Sequence, residues 1–151
     1  MNILNVREYI ETFLKIRTKD GTLMPLRLNQ PQDRMYQAVK SQWDAGKPVR
    51  IIVLKARQMG FSTLTEAIIF AITATRFYTD CMIVAHKDEA TANLFRMSLR
   101  YYENLPEPMK PMRKASNAHE LVFDKPAHYK GRRPGLGSSI KCATAGVSSY
   151  T

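Results

Sequence analysis

One stretch constrains the chain more than any other: Arg50-Ile51-Ile52-Val53-Leu54-Lys55-Ala56-Arg57-Gln58-Met59-Gly60-Phe61-Ser62-Thr63. Ile51 to Leu54 is a short apolar run with β-branched character, which predicts a strand buried on both faces. Lys55 to Phe61 is a cationic loop with a single glycine, Gly60. From Ser62 onward, Thr63-Leu64-Thr65-Glu66-Ala67-Ile68-Ile69-Phe70-Ala71-Ile72 reads as a helix. Strand, loop and helix in that order are the setting of a phosphate-binding loop. A helix start offers unpaired N–H groups and the positive end of the helix dipole, so an anion is favoured there.

The loop departs from the common pattern GxxxxGK(S/T). With Gly60 as the second glycine, Ser62 takes the hydroxyl position that holds magnesium. Phe61 then stands where the lysine belongs, and Lys55 where the first glycine belongs. A phenylalanine cannot neutralise a γ-phosphate, so the cation must come from elsewhere. Lys55 leaves the expected strand on a long flexible stem. Arg57 offers a planar fork of donors suited to phosphate oxygens. The plain alternative is a strand-to-helix turn with solvated cations.

The charge balance narrows the class of partner. The chain has 151 residues, 23 basic against 13 acidic, and a net charge of +10. That length suits one domain with a real core, and the excess of positive charge points to a polyanion, nucleic acid first. Residues 1–106 hold 15 basic and 10 acidic side chains, net +5. Residues 107–151 hold 8 and 3, also net +5 in less than half the length. Cys81 and Cys142 form no CxxC pair and fit a reducing cytosol. His86, His119 and His128 show no metal-ligand spacing. No apolar run approaches the ~18 residues of a membrane span, and the N-terminus has no signal-peptide pattern.

Along the chain, Asn5 with Glu8 resembles a capping box, and the spacing of Val6, Tyr9, Ile10, Phe13 and Leu14 predicts an amphipathic helix over 6–17. Lys19–Thr22 is a turn. A second helix starts near Pro31, shows Met35, Val39 and Trp43 on one face, and ends at Gly46. The helix after the loop is apolar around most of its circumference and should be buried. Cys81–Ala85 predicts a second buried strand. Asp88 is placed to cap a helix over 89–104 with Ala90, Leu94, Met97 and Tyr101 on one face. Glu120–Asp124 and 138–143 read as strands. Between them, a basic Gly/Pro-containing loop holds Lys125, Lys130, Arg132 and Arg133, a candidate for DNA phosphates. Alternating strands and helices predict an α/β fold with a parallel sheet and right-handed crossovers.

Lys55-Ala56-Arg57-Gln58-Met59-Gly60-Phe61-Ser62-Thr63 resembles the deviant Walker A loop of the large terminase subunits of tailed bacteriophages, the ATPases that drive DNA into the procapsid. That family often carries an Arg-Gln-x-Gly core and a lysine displaced to the start of the loop, as Lys55 is here. Leu28 and Gln32, just before the second helix, resemble the adenine-reading Q motif of terminases and helicases, with Gln30 as an alternative carrier. Ile83–Ala92 and Gly137-Ser138-Ser139-Ile140 are also similar to terminase segments.

The resemblance implies a P-loop NTPase-like parallel sheet with flanking helices, incomplete on its C-terminal side. Its parts would be N-terminal helices with the Q-like segment over 1–48, a phosphate-loop core over 49–104, and a basic loop and strands over 105–151. It implies ATP and Mg2+ as ligands, with Ser62 on the metal. Duplex DNA, a portal protein, a small terminase subunit and further copies of the chain would be partners in the host cytoplasm. Family members place adjacent acids at the end of a later apolar strand, to hold magnesium and orient water. Asp88-Glu89 is the only adjacent acidic pair here and opens a helix instead. The expectation is therefore the front part of a terminase ATPase domain, stopping before Walker B and without the nuclease domain, and not competent for hydrolysis alone. Two rivals remain: a helicase-type ATPase on the same core, and a non-enzymatic basic module that binds nucleic acid by charge.

Overall fold

The structure, a computed structural model, describes residues 4–54, 56, 58–117 and 119–146. The chain runs α1 (Leu4–Phe13), β1 (Lys15–Arg17), β2 (Leu23–Pro25), α2 (Gln30–Asp44), α3 (Phe61–Thr75), β3 (Asp80–Ala85), α4 (Asp88–Glu103), β4 (Ala115–Ser116), β5 (Glu120–Phe123) and β6 (Ser138–Thr144). The helix expected over 6–17 stops at Phe13, and Asn5 lies inside it rather than at a cap. Lys15–Arg17 pair instead with Leu23–Pro25 in an antiparallel hairpin. Gly21, at φ +89°, lets the chain reverse there, and the ladder bonds replace those a longer helix would have made.

The main sheet has the order β3-β6-β5-β4. β3 and β6 are parallel, whereas β5 runs antiparallel to both β6 and β4. The sheet is therefore mixed, not parallel as expected, because β5 and β6 are joined by a loop that simply turns back. Cys81, Ile140 and Leu121 align across one face, and Ile83 aligns with Cys142. Ile140, Cys142, Leu121 and Phe123 are buried there. Met82 and Val84 of β3 point the other way and are exposed, so β3 is covered on one face only.

The largest departure concerns Ile51–Leu54. These residues belong to no strand. Ile52 is 98% and Leu54 101% exposed, while Ile51 is partly buried. A strand needs a neighbour to satisfy its N–H and C=O groups, and no described strand runs beside this one. At its start the Arg50 backbone bonds the Gln42 side chain instead, at 2.7 and 3.2 Å.

α3 is the spine of the core. It buries Leu64, Ala67, Phe70 and Ala71, and α1 and α4 both pack on it. The Phe70 ring lies 5.7 Å from Tyr101 and meets Phe123 edge-on at 6.0 Å. Tyr102 stacks on Phe123 at 5.7 Å. α4 buries Thr91, Phe95, Ser98 and Tyr101, a stripe shifted by one position from Ala90, Leu94 and Met97. The shift brings Thr91 to Thr144 at 2.8 Å and Ser98 to Glu66 at 2.8 Å, so both buried hydroxyls find partners. Asp88 sits in the first turn of α4 rather than capping it, the cap position being Lys87. Among the described residues no helix is long and apolar enough to cross a membrane.

Phe123 is fully buried against two aromatic rings, Phe70 and Tyr102. Phe123→Ala should lower stability by about 3–5 kcal/mol, read as a fall in the urea midpoint at unchanged slope.

Candidate phosphate-binding site

The site is built from the start of α2. Asn29 caps that helix by a reciprocal pair of bonds. The Gln32 N–H donates to Asn29 Oδ1 at 2.9 Å, and the Asn29 N–H donates to Gln32 Oε1 at 3.0 Å. Pro31 stands in the first turn, where its missing N–H leaves no bond unmade. The same two side chains reach the loop. Gln32 Nε2 donates to the Gly60 carbonyl at 2.8 Å, and Asn29 Nδ2 to the Met59 carbonyl at 3.5 Å. α1 braces α2 in turn: the Arg7 guanidinium pairs with Asp33, and the Arg7 N–H donates to the Tyr36 hydroxyl at 3.2 Å.

Gly60 is the pivot. It sits at φ +76° as the N-cap of α3, and its carbonyl also accepts the Leu64 N–H at 3.1 Å. A Cβ there would lie 2.6 Å from Gln32 Nε2. The glycine thus lets the Gln32 amide approach the backbone closely. Gln58 is also left-handed, at φ 63°. Among the described residues no side chain caps α3, and no acid lies in its first turn. Those amides and the dipole end are therefore open to an anion.

The remaining site residues fall as follows. Ser62 is exposed in the first turn of α3, Phe61 and Thr63 are half-buried, Met59 is half-buried, and Ala56 and Gln58 are exposed. Lys55 and Arg57 lie outside the described residues. Gln32 is 4% exposed, and its oxygen and one N–H are engaged as above, so it acts as a brace within the chain. Gln30 is exposed and lines a cleft of about 350 Å³ with Arg34, Ile52, Leu54, Met59 and Phe61.

The basic loop is remote. Ser138, at its end, donates to the Arg76 carbonyl at 2.7 Å, just past the C-terminus of α3. The candidate phosphate-binding loop precedes the other end of this 15-residue helix, about 22 Å away at 1.5 Å per residue. Lys125 is tied to the Gly131 carbonyl at 2.9 Å and lies over the Tyr129 ring. Lys130, Arg132 and Arg133 are exposed.

Two features were not anticipated from sequence. Asn29 was readable, since Asn followed by Gln three residues later is a capping signature. Glu66 was readable as the one acid in an apolar helix. It is 1% exposed, accepts from Ser98, and its Oε1 has no partner among the described residues. Burial pushes its carboxyl up to about 7, against the Ser98 bond that lowers it. The Tyr101 hydroxyl beside it donates to the Thr63 carbonyl at 3.1 Å. α4 thereby holds the first turn of α3 through polar contacts in an otherwise apolar interface.

These features define a mixed α/β fold in which an uncapped helix follows a braced, left-handed glycine loop. No protein-family model matches the chain, and no curated protein matches it by sequence. Among solved structures, the large terminase of bacteriophage HK97 has the same fold over 95% of this chain, with a TM-score of 0.70 and 18% identity. The match spans 27% of the HK97 chain.

Gly60→Ala should cost about 1–3 kcal/mol through backbone strain and loss of the Gln32 approach, seen as a lower Tm. Glu66 gives a pH test. Its carboxyl ionises near 4.5 when unfolded and about 7 when folded. Between these values the unfolded state binds fewer protons, so stability falls as pH rises. The Glu66 contribution is greatest below 4.5, and its loss, about 3 kcal/mol, is complete above 7. Glu66→Gln should flatten this slope in thermal melts across the window.

Proposed function

We propose that the chain is the nucleotide-binding front part of a terminase-type DNA-packaging ATPase. The observation that carries this reading is the open start of α3 behind left-handed Gly60, in a fold shared with the HK97 large terminase. ATP phosphates rest on the backbone of Ala56, Gln58, Met59 and Gly60 and on the first turn of α3. Lys55 and Arg57 neutralise the β- and γ-phosphates. Ser62, with Thr63 beside it, ligates Mg2+, which when bound offsets phosphate charge. Gln30 reads adenine in the cleft against Phe61 and Met59, because the Gln32 amide is already engaged.

The chain binds nucleotide without turning it over alone, since its only adjacent acids, Asp88 and Glu89, open α4. Duplex DNA meets Lys125, Lys130 and Arg132 by phosphate neutralisation. A portal protein, a small terminase subunit and further copies of the chain complete the motor in the host cytoplasm. The rival reading of a purely basic module draws on the remoteness of those cations from the phosphate loop. It predicts DNA binding that Mg-ATP does not alter.

Calorimetric titration with Mg-ATP at low salt tests the proposal. The folded chain should show saturable binding, and Lys55→Ala should abolish it. Heat-free titration of the folded wild-type chain, or equal affinity in the variant, contradicts the displaced-lysine loop.

A further inference from the structure

At the far end of α3 the chain makes a turn that leaves its two aromatic side chains exposed. Arg76–Thr79 connects α3 to β3, and it is pinned from both sides. The Tyr78 N–H donates to the Leu136 carbonyl at 2.9 Å, and the Ser139 N–H to the Thr79 carbonyl at 3.1 Å. Ser138, 1% exposed, accepts the Thr79 N–H at 3.0 Å while donating to Arg76. This framework holds Tyr78 at φ 52°, a left-handed conformation that an aromatic residue adopts only under strain. The ring gains no burial in return, being 86% exposed, and Phe77 beside it is 55% exposed. The ring does lie close to Gly137, where a Cβ would be 3.0 Å from it.

A hollow of about 240 Å³ opens next to this turn. Its walls include Phe77, Met109, Met112, Pro134 and Leu136, with Arg133 as the one cation and no acid among the described residues. Methionines in such a wall adapt to varied side chains, and rigid exposed aromatics beside a pocket are the usual anchors of protein interfaces.

We infer that the Phe77–Tyr78 turn and this hollow form a docking surface for an acidic polypeptide segment. An apolar side chain of that segment fills the hollow, and a flanking carboxylate pairs with Arg133. Charge complementarity selects this occupant: the lining carries a cation without an acid, on a chain of net charge +10. A nucleic acid is disfavoured by geometry. The two rings are tilted 41° with centroids 6.2 Å apart, so they do not form parallel faces for stacked bases, and the hollow offers one cation rather than a track of them.

The experiment uses the full chain and fluorescence anisotropy with three labelled probes. One is a short peptide setting leucine and tryptophan among aspartates and glutamates. The second is its counterpart with lysines for the acids, and the third a single-stranded oligothymidylate. The acidic peptide should bind saturably and the lysine peptide should not. Tyr78→Gly should weaken that binding about tenfold or more while leaving Tm equal or higher, since glycine relieves the strained conformation. Arg133→Glu, an exposed change, should weaken it comparably. The inference is overturned if the acidic peptide fails to bind, if neither variant changes its affinity, or if Tyr78→Gly lowers Tm. It is equally overturned if the oligothymidylate is the probe whose binding depends on Tyr78.

Discussion

The Gln32 amide is the joint on which the site depends. Its oxygen closes the cap of α2, and its nitrogen holds the Gly60 carbonyl at 2.8 Å. One side chain thus bonds backbone groups at two helix starts, an N–H at α2 and a carbonyl at α3, and leaves the first-turn N–H groups of α3 without a side-chain cap among the described residues. The position of α2 is fixed in turn by Arg7 and Tyr36 against α1. This route ends at Gly60, whose φ of +76° favours glycine. Loop geometry is therefore set by contacts made some thirty residues earlier in the chain.

The opposite side of α3 answers this brace. Tyr101 and Ser98 of α4 bond Thr63 and Glu66 within the first two turns. α3 is clamped by polar contacts near its start and by aromatic packing of Phe70 in its middle. Glu66 places an ionisable group without a cation inside that clamp. Its neutral form suits the site, and its charged form is disfavoured there, which ties the stability of α3 to pH. The basic loop stands at the other end of α3. Uncapped backbone amides and exposed side-chain cations thus lie at opposite poles of α3.

Much of this was legible in the sequence. Apolar periodicity located α2, α3 and α4, and the turn residues Gly21, Pro31 and Gly46 stood where expected. Gly60 and Ser62 were placed at the loop and the helix start by spacing alone. What the sequence could not convey is pairing. The run Ile51–Leu54 has strand composition but no described neighbour, so composition and structure part there. Direction is equally silent in an apolar run, and β5 turned out antiparallel. Lys15–Arg17 lay inside the expected helix yet joined a hairpin, because ladder bonds to Leu23–Pro25 outweigh a weak helix preference. Gln32 was singled out for the right reason, an amide that donates and accepts, but its partners are in the chain itself. Asn29 and Glu66 carried signals, a capping pattern and a lone acid in an apolar helix, that become meaningful only once α2 is seen to touch the loop and α4 the start of α3.

The central claim is that an anion seats on the backbone between Ala56 and the first turn of α3. Amide hydrogen exchange with and without saturating Mg-ATP measures those N–H groups directly. The account predicts slowed exchange confined to the loop and the start of α3, with the segment 124–137 unchanged. Unchanged exchange at the loop, or slowing centred on 124–137 instead, would contradict it.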